Sequence, residues 1–189
     1  MTGSPVVAVA GATGAVGVEL LKCLETRKFP LSKLKLLASK RSAGRTMTFK
    51  GEELPVEELT EASLQGVDIA LFSAGSGISK QFLAASKAAG AVMIDNSSAF
   101  RMDADVPLVV PEVNPQTAKL HKGVIANPNC STIIANVPLW PLHQVNPIKR
   151  LIASTYQAAS GAGWAAMEEL KDATRAALDG KPFQQKIIP

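Results

Sequence analysis

Two cysteines occur in the 189 residues, and their surroundings differ. Cys130 lies in Ala126-Asn127-Pro128-Asn129-Cys130-Ser131-Thr132, after a short apolar run and at the start of a helical pattern. A thiol there meets unpaired backbone N–H groups and the positive end of a helix dipole, which favour the nucleophilic thiolate. Covalent catalysis through sulfur is one reading; a buried structural cysteine is the other. Cys23 falls within the first helical segment and is expected to be inert packing. So sparse a pair makes neither a disulfide framework nor a zinc site, and no metal is expected.

Other side chains could serve such a nucleophile. Arg101 closes a loop just past a strand, where a guanidinium can bind an anion or simply face solvent. Gln157 ends an apolar segment, where its amide can donate to a carbonyl or cap its own loop. The histidines, His121 and His143, read as structural or exposed rather than as general acid–base groups.

Glycine supplies the second chemical signal. Gly11-x-x-Gly14-x-x-Gly17 follows the buried apolar run Val6–Ala10. It opens a helical pattern with Val16, Leu20, Leu21 and Leu24 on one side and Glu19, Lys22 and Glu25 on the other. A tight turn, a close approach to pyrophosphate and close helix–strand packing all ask for glycine there, and the helix N-terminus favours phosphate. A dinucleotide that bonds through its ribose 2′-hydroxyl usually meets an Asp or Glu after the second strand. Here the run is Ala38-Ser39-Lys40-Arg41-Ser42-Ala43-Gly44-Arg45, without a carboxylate. The hydroxyls of Ser39 and Ser42 and the fork of Arg41 suit a 2′-phosphate, so NADP is expected over NAD; a solvated basic loop is the alternative.

The elements that must position these groups alternate. Strands are expected at 6–10, 34–38, 67–73, 91–95, 106–110 and 124–126, with helices after the glycine loop, closed by Pro30, and at 79–89. Such alternation predicts an α/β fold with a doubly wound parallel sheet. Beyond Cys130, a short helix at 131–137 is expected to kink or stop at Pro138 and Pro141. A strand at 151–157 leads into a small-residue loop at 158–163, and an amphipathic helix at 167–178 ends at Asp179-Gly180.

Composition excludes several classes. A net charge of +4 with scattered cations, dense only between Lys40 and Arg45, is no nucleic-acid footprint. No apolar run reaches the roughly 18 residues of a membrane span, and Met1-Thr2-Gly3-Ser4-Pro5 lacks the build of a secretory signal. A cytoplasmic protein is expected, or a plastid one had a transit peptide been removed.

GATGAVG (from Gly11), SAGS (from Ser73), DNSSAFRM (from Asp95), PEVN (from Pro111), ANPNCST and TYQAASGAG (from Thr155) together closely resemble the aspartate-β-semialdehyde dehydrogenase family, in order and spacing, from Val6 onward. The resemblance implies a Rossmann-type NADP-binding domain over 1–130 and the beginning of an α+β catalytic and dimerisation domain over 131–189. It makes Cys130 the nucleophile and matches Thr13, Gly14, Ala15 and Val16 to the pyrophosphate segment. Arg41 and Ser42 match the 2′-phosphate site, and Ser160 and Gly161 a loop near the nicotinamide. Arg101 matches a phosphate-binding arginine, while Asn129 and Gln157 match residues that hold and orient substrate.

The implied reaction is NADPH-dependent reductive dephosphorylation of β-aspartyl phosphate through a cysteine thioester, serving lysine (through diaminopimelate), methionine, threonine and isoleucine biosynthesis in a homodimer or homotetramer. Neither histidine matches the family's catalytic histidine. That residue, the substrate-binding arginine and much of the dimer-interface sheet are expected beyond Pro189, which would leave this chain inactive alone. N-acetyl-γ-glutamyl-phosphate reductase is the nearest rival, but its nucleophile usually follows Gly and precedes Tyr, where Asn129 and Ser131 stand here. A short-chain reductase should show Tyr-x-x-x-Lys, and Tyr156 has Ser160 four residues on. A non-catalytic NADP-binding homologue is the third alternative.

Overall fold

The computed structural model describes residues 3–187. Met1 and Thr2, part of the segment read as lacking a signal, and Ile188 and Pro189, the end of the expected second domain, lie outside the described residues. The chain divides into two compact units, Met1–Leu151 and Ile152–Pro189.

The first unit carries β1 (Val6–Ala10), α1 (Ala15–Thr26), β2 (Lys33–Ala38), β3 (Thr46–Phe49), β4 (Glu52–Glu58), β5 (Ile69–Phe72), α2 (Ser76–Ala88), β6 (Val92–Asp95), β7 (Val124–Ala126) and α3 (Cys130–Val145). Its sheet runs β3-β4-β2-β1-β5-β6-β7. Every pairing is parallel except β3 against β4. With β3 set aside, the parallel strands stand third, second, first, fourth, fifth and sixth in chain order, the doubly wound arrangement of dinucleotide-binding sheets.

The run Val6–Ala10 is apolar throughout because both sheet faces are covered. Alternation sends Ala8 and Ala10 into a cluster with Leu37, Phe72, Phe82 and Met93. It sends Val7 and Val9 into another with Leu21, Leu24, Leu36 and Val56. On α1, Leu21, Leu24 and Gly17 are buried, whereas Val16, expected on that side, is 36% exposed. Cys23 is exposed too, so it is not packing.

Several elements differ from expectation. The hairpin of β3 and β4 fills a stretch the apolar periodicity left blank. Its turn places Lys50 (φ 52°) and Gly51 (φ 82°) consecutively in the left-handed region, as tight two-residue hairpin loops require. α2 begins at Ser76, so Gly75 caps it and Gly77 is helical. The segment 106–110 forms no strand; it touches the sheet through one bridge, Leu108 to Ala126. α3 runs 16 residues straight through Pro138 and Pro141. No residue of it is buried, and Ile134 and Val137 are exposed. Water can therefore serve the carbonyls that the prolines leave without donors. Residues 151–157, expected as a strand, join no ladder of the sheet and run as an irregular segment.

The first unit ends after α3, at Leu151. The second holds a 3-10 turn (Ala159–Ala162) and α4 (Trp164–Leu178). The exposed face of α4 carries Lys171–Glu168 and Arg175–Asp172 pairs at i,i+3 spacing. Gly180, at φ 67°, follows its C-cap. Among the described residues no helix is long and apolar enough to cross a membrane, and no group is arranged to hold a metal.

Candidate active site

Between β1 and β5 the sheet changes winding direction, and ligands of such sheets bind in the crevice outside the carboxyl ends of those strands. Gly11, just past β1, sits at φ 85°. A Cβ there would lie 2.3 Å from the Ser73 carbonyl oxygen at the end of β5. The Gly11 and Ala12 N–H groups donate to the Leu37 carbonyl at 2.8 and 3.1 Å, tying the loop to β2. A Cβ on Gly17 would lie 2.3 Å from the Gly11 oxygen and 2.4 Å from that of Ala12. Gly14 is different: extended at φ −78°, with a Cβ position 3.2 Å from the Gly11 oxygen. Two glycines thus answer the protein's own packing, and the middle one leaves the approach to α1 open.

The first turn of α1 leaves N–H groups without intrahelical acceptors and holds no acidic residue. Thr13 is half-buried beside it, and Ala15 and Val16 are exposed. These residues fit a pyrophosphate.

The cationic loop after β2 is shaped from behind by the hairpin. Gly44 N–H donates to Val56 at 2.9 Å, Val56 N–H to Arg45 at 2.8 Å, and Leu59 N–H to Ala38 at 2.7 Å. Within the loop, the Ser39 carbonyl accepts from the Ser42 and Ala43 N–H groups at 2.8 and 3.1 Å. Ser42 is buried, while Ser39, Lys40, Arg41 and Arg45 are exposed, and none of these cations forms an ion pair among the described residues. An anion with several oxygens fits such a loop.

The third cluster joins the ends of β6 and β7. Cys130 is the first residue of α3 and is exposed. Asn129 caps that helix, its Oδ1 accepting from Ser131 N–H at 3.0 Å. Three residues before Cys130, Asn127 donates its N–H to the Asp95 carbonyl at 2.8 Å and its Nδ2 to Asn96 Oδ1 at 2.6 Å. Arg101, half-buried, spans the same junction: Nε donates to the Asn127 carbonyl at 2.9 Å and Nη2 to that of Asn96 at 3.1 Å. No carboxylate pairs with this guanidinium among the described residues, so its charge is available to an anion.

Sequence reasoning gave Asp95 no role of its own: it ended a strand and opened the DNSSAFRM motif. It is fully buried, accepting from Ser79 Oγ at 2.5 Å and Ser97 Oγ at 2.7 Å. The signal was there: an acidic residue ending an apolar strand, followed by Asn-Ser-Ser.

Gln157, Ser160 and Gly161 belong to the second unit. Gln157 is exposed, its Oε1 accepting from Thr155 Oγ1 at 3.3 Å, and Ser160 and Gly161 lie in the Ala159–Ala162 turn. Both histidines accept a backbone amide at Nδ1: His121 from Gly123 at 3.1 Å, His143 from Ile148 at 3.1 Å. His143 also stacks on Trp140.

A family model described as the NAD binding domain of semialdehyde dehydrogenase matches residues 6–121. A second, described as its dimerisation domain, matches residues 139–189. Aspartate-semialdehyde dehydrogenase of Synechocystis is 56% identical over 187 residues, covering 98% of this chain and 55% of that protein. The Bacillus subtilis enzyme of the same name is 51% identical over 183 residues, covering 97% and 53%. The crystal structure of aspartate semialdehyde dehydrogenase II of Vibrio cholerae, complexed with ASA, superposes with a TM-score of 0.91 at 44% identity, covering 99% of this chain and 56% of that one. The chain spans about half the length of the curated relatives it matches.

Proposed function

The chain belongs to the semialdehyde dehydrogenase family, and from that membership we propose that its protein reduces β-aspartyl phosphate to aspartate β-semialdehyde with NADPH, through a thioester on Cys130. The observation that carries this reading is the junction of β6 and β7. There a guanidinium that no carboxylate among the described residues pairs with is bonded to the residue three positions before an exposed helix-start cysteine.

In the proposed reaction the Cys130 sulfur bonds the acyl carbon, and the bond from that carbon to the phosphate oxygen breaks. Phosphate departs toward Arg101, taking up one proton to leave as the dianion, and the guanidinium N–H groups not bonded to the Asn96 and Asn127 carbonyls can donate to it. Splitting acyl transfer from reduction replaces one difficult step by two easier ones. The nicotinamide cofactor, NADPH in this reading, would supply when bound the hydride that the thioester carbon needs. The carbon–sulfur bond then breaks, returning the thiolate and releasing the aldehyde. Asn129 and Gln157 hold the substrate. Gly11, Thr13, Gly14, Ala15 and Val16 hold the pyrophosphate; Ser39, Arg41 and Ser42 the 2′-phosphate; Ser160 and Gly161 flank the nicotinamide. We assign proton transfer to neither His121 nor His143, since each uses Nδ1 for a local backbone amide.

The activity is proposed for the whole protein, a homodimer or homotetramer in the cytoplasm, serving lysine, methionine, threonine and isoleucine biosynthesis. Residues 1–130 form its cofactor side, and 131–189 begin its catalytic and dimerisation side. Intact mass measurement of the full-length protein, incubated with a β-aspartyl phosphate analogue without NADPH, should show one acyl adduct that Cys130→Ser abolishes. Absence of the adduct in the wild type would overturn the reading.

A further inference from the structure

Asp95 is the one fully buried acidic group among the described residues, and the proposed chemistry does not use it. Burying a carboxylate without a counter-cation is costly, so its retention calls for a reason. Its bonds supply one. A carboxylate only accepts, so both hydroxyls facing it must donate. Ser79 reaches it from the first turn of α2, and Ser97 from the loop past β6. With its proton committed to Asp95, Ser97 Oγ presents a lone pair to Ala99 N–H, which it accepts at 3.1 Å. That bond sets the turn over residues 97–99, two residues before Arg101. Arg101 in turn clasps the Asn96 and Asn127 carbonyls, while the backbone carbonyl of Asp95 accepts Asn127 N–H.

We infer that Asp95 is a positioning residue for the reaction proposed above: through Ser97 it fixes the turn that aims Arg101 at the departing or attacking phosphate. The two serines make the claim specific. Both give their short hydroxyl bond to the same carboxylate; at longer range Ser79 Oγ lies 3.2 Å from the Gly75 carbonyl and Ser97 Oγ 3.4 Å from Ser79 Oγ, but only Ser97 continues toward Arg101. Ser79 is fully buried, so a purely structural role would make its loss at least as damaging as that of Ser97.

The test uses full-length enzyme in the direction of aldehyde oxidation, with inorganic phosphate varied. Ser97→Ala should raise the KM for phosphate about tenfold, the scale on which loss of an orienting partner acts. Ser79→Ala should change it less than about twofold, and the KM for NADP should hold in both. Asp95→Asn keeps the volume but can donate, which frees the serine protons from a single direction. It should match or exceed Ser97→Ala on phosphate and leave NADP unaffected. Equal effects of the two serine variants, or a parallel rise for NADP, would overturn the inference; if Asp95→Asn fails to fold, the serine pair decides. A wild type without phosphate dependence, or an Arg101→Ala enzyme with normal phosphate KM, would instead overturn the reading on which this rests.

Discussion

Two strand–loop–helix junctions of the same sheet are built in opposite ways. Between β1 and α1 the loop is made of backbone: Gly11 lies against Ser73, and Gly17 against the carbonyls of Gly11 and Ala12. Between β7 and α3 it is made of side chains: Arg101, Asn96, Asn127 and Asn129 hold the turn through hydrogen bonds. The first helix sinks Leu21 and Leu24 into the core, whereas no residue of α3 is buried. A backbone-built loop tolerates no added atom where it packs on itself, at Gly11 and Gly17, and presents N–H groups that any phosphate can use. A side-chain-built loop gives up one group at a time, which suits a site that must recognise one reacting centre.

The largest effect should come from breaking the backbone side. Gly17→Ala puts a methyl group 2.3 Å from one carbonyl oxygen and 2.4 Å from another. Neither oxygen belongs to a flexible side chain, so strand and helix must part, at a cost of about 3 kcal/mol. Urea unfolding of the full-length protein measures it. Gly14→Ala is the control, since its Cβ would be 3.2 Å from the nearest atom and its φ is ordinary. It should cost under about 1 kcal/mol yet weaken NADP binding by crowding the phosphate approach. Equal destabilisation by the two variants would show that the loop is not divided between packing and ligand.

That division also explains what the sequence made legible. The glycines and the apolar run Val6–Ala10 announce β1 and α1 because both follow from local rules, and the alternation announces the parallel sheet. The hairpin escaped for local reasons. Its turn is Lys50-Gly51 rather than Asn-Gly or Asp-Gly, and β4 carries Pro55 with a single buried residue, Val56. The start of α3 was legible, but its continuation past Pro138 to Val145 was not, because proline usually ends a helix and only an exposed helix can hydrate the orphaned carbonyls of Ile134 and Val137. Cys130 and Arg101 could be singled out by type and place. Their connection through Asn96 and Asn127 could not, because it depends on β6 and β7 lying side by side. Asp95 escaped for the same reason: Ser79 is 16 residues away in the chain.

Arg41→Ala sharpens the comparison within the nucleotide side itself. The loop around Arg41 is held by backbone bonds to β4 and by the Ser39 carbonyl, while the side chain is exposed. Removing it should leave unfolding unchanged within about 0.5 kcal/mol. The KM for NADP should rise about tenfold, equivalent to about 1.4 kcal/mol, with the KM for NAD unaltered. Unchanged use of NADP would remove the 2′-phosphate assignment and leave a solvated basic loop.

The smallest effect tests the side-chain side at its edge. Asn129 Oδ1 caps α3 through Ser131 N–H, and loss of such a cap typically costs about 1 kcal/mol. Asn129→Ala should show that loss in urea unfolding, together with a fall in kcat, because the helix start that frays carries Cys130. Asn129→Ser separates the two roles proposed for Asn129. A hydroxyl can still cap, so stability should return, but it cannot replace the amide as a substrate donor, so the KM for the acyl phosphate should stay raised. Recovery of both would make Asn129 a cap and nothing more, and the nucleophile's turn would then be as purely structural as the glycine loop opposite it.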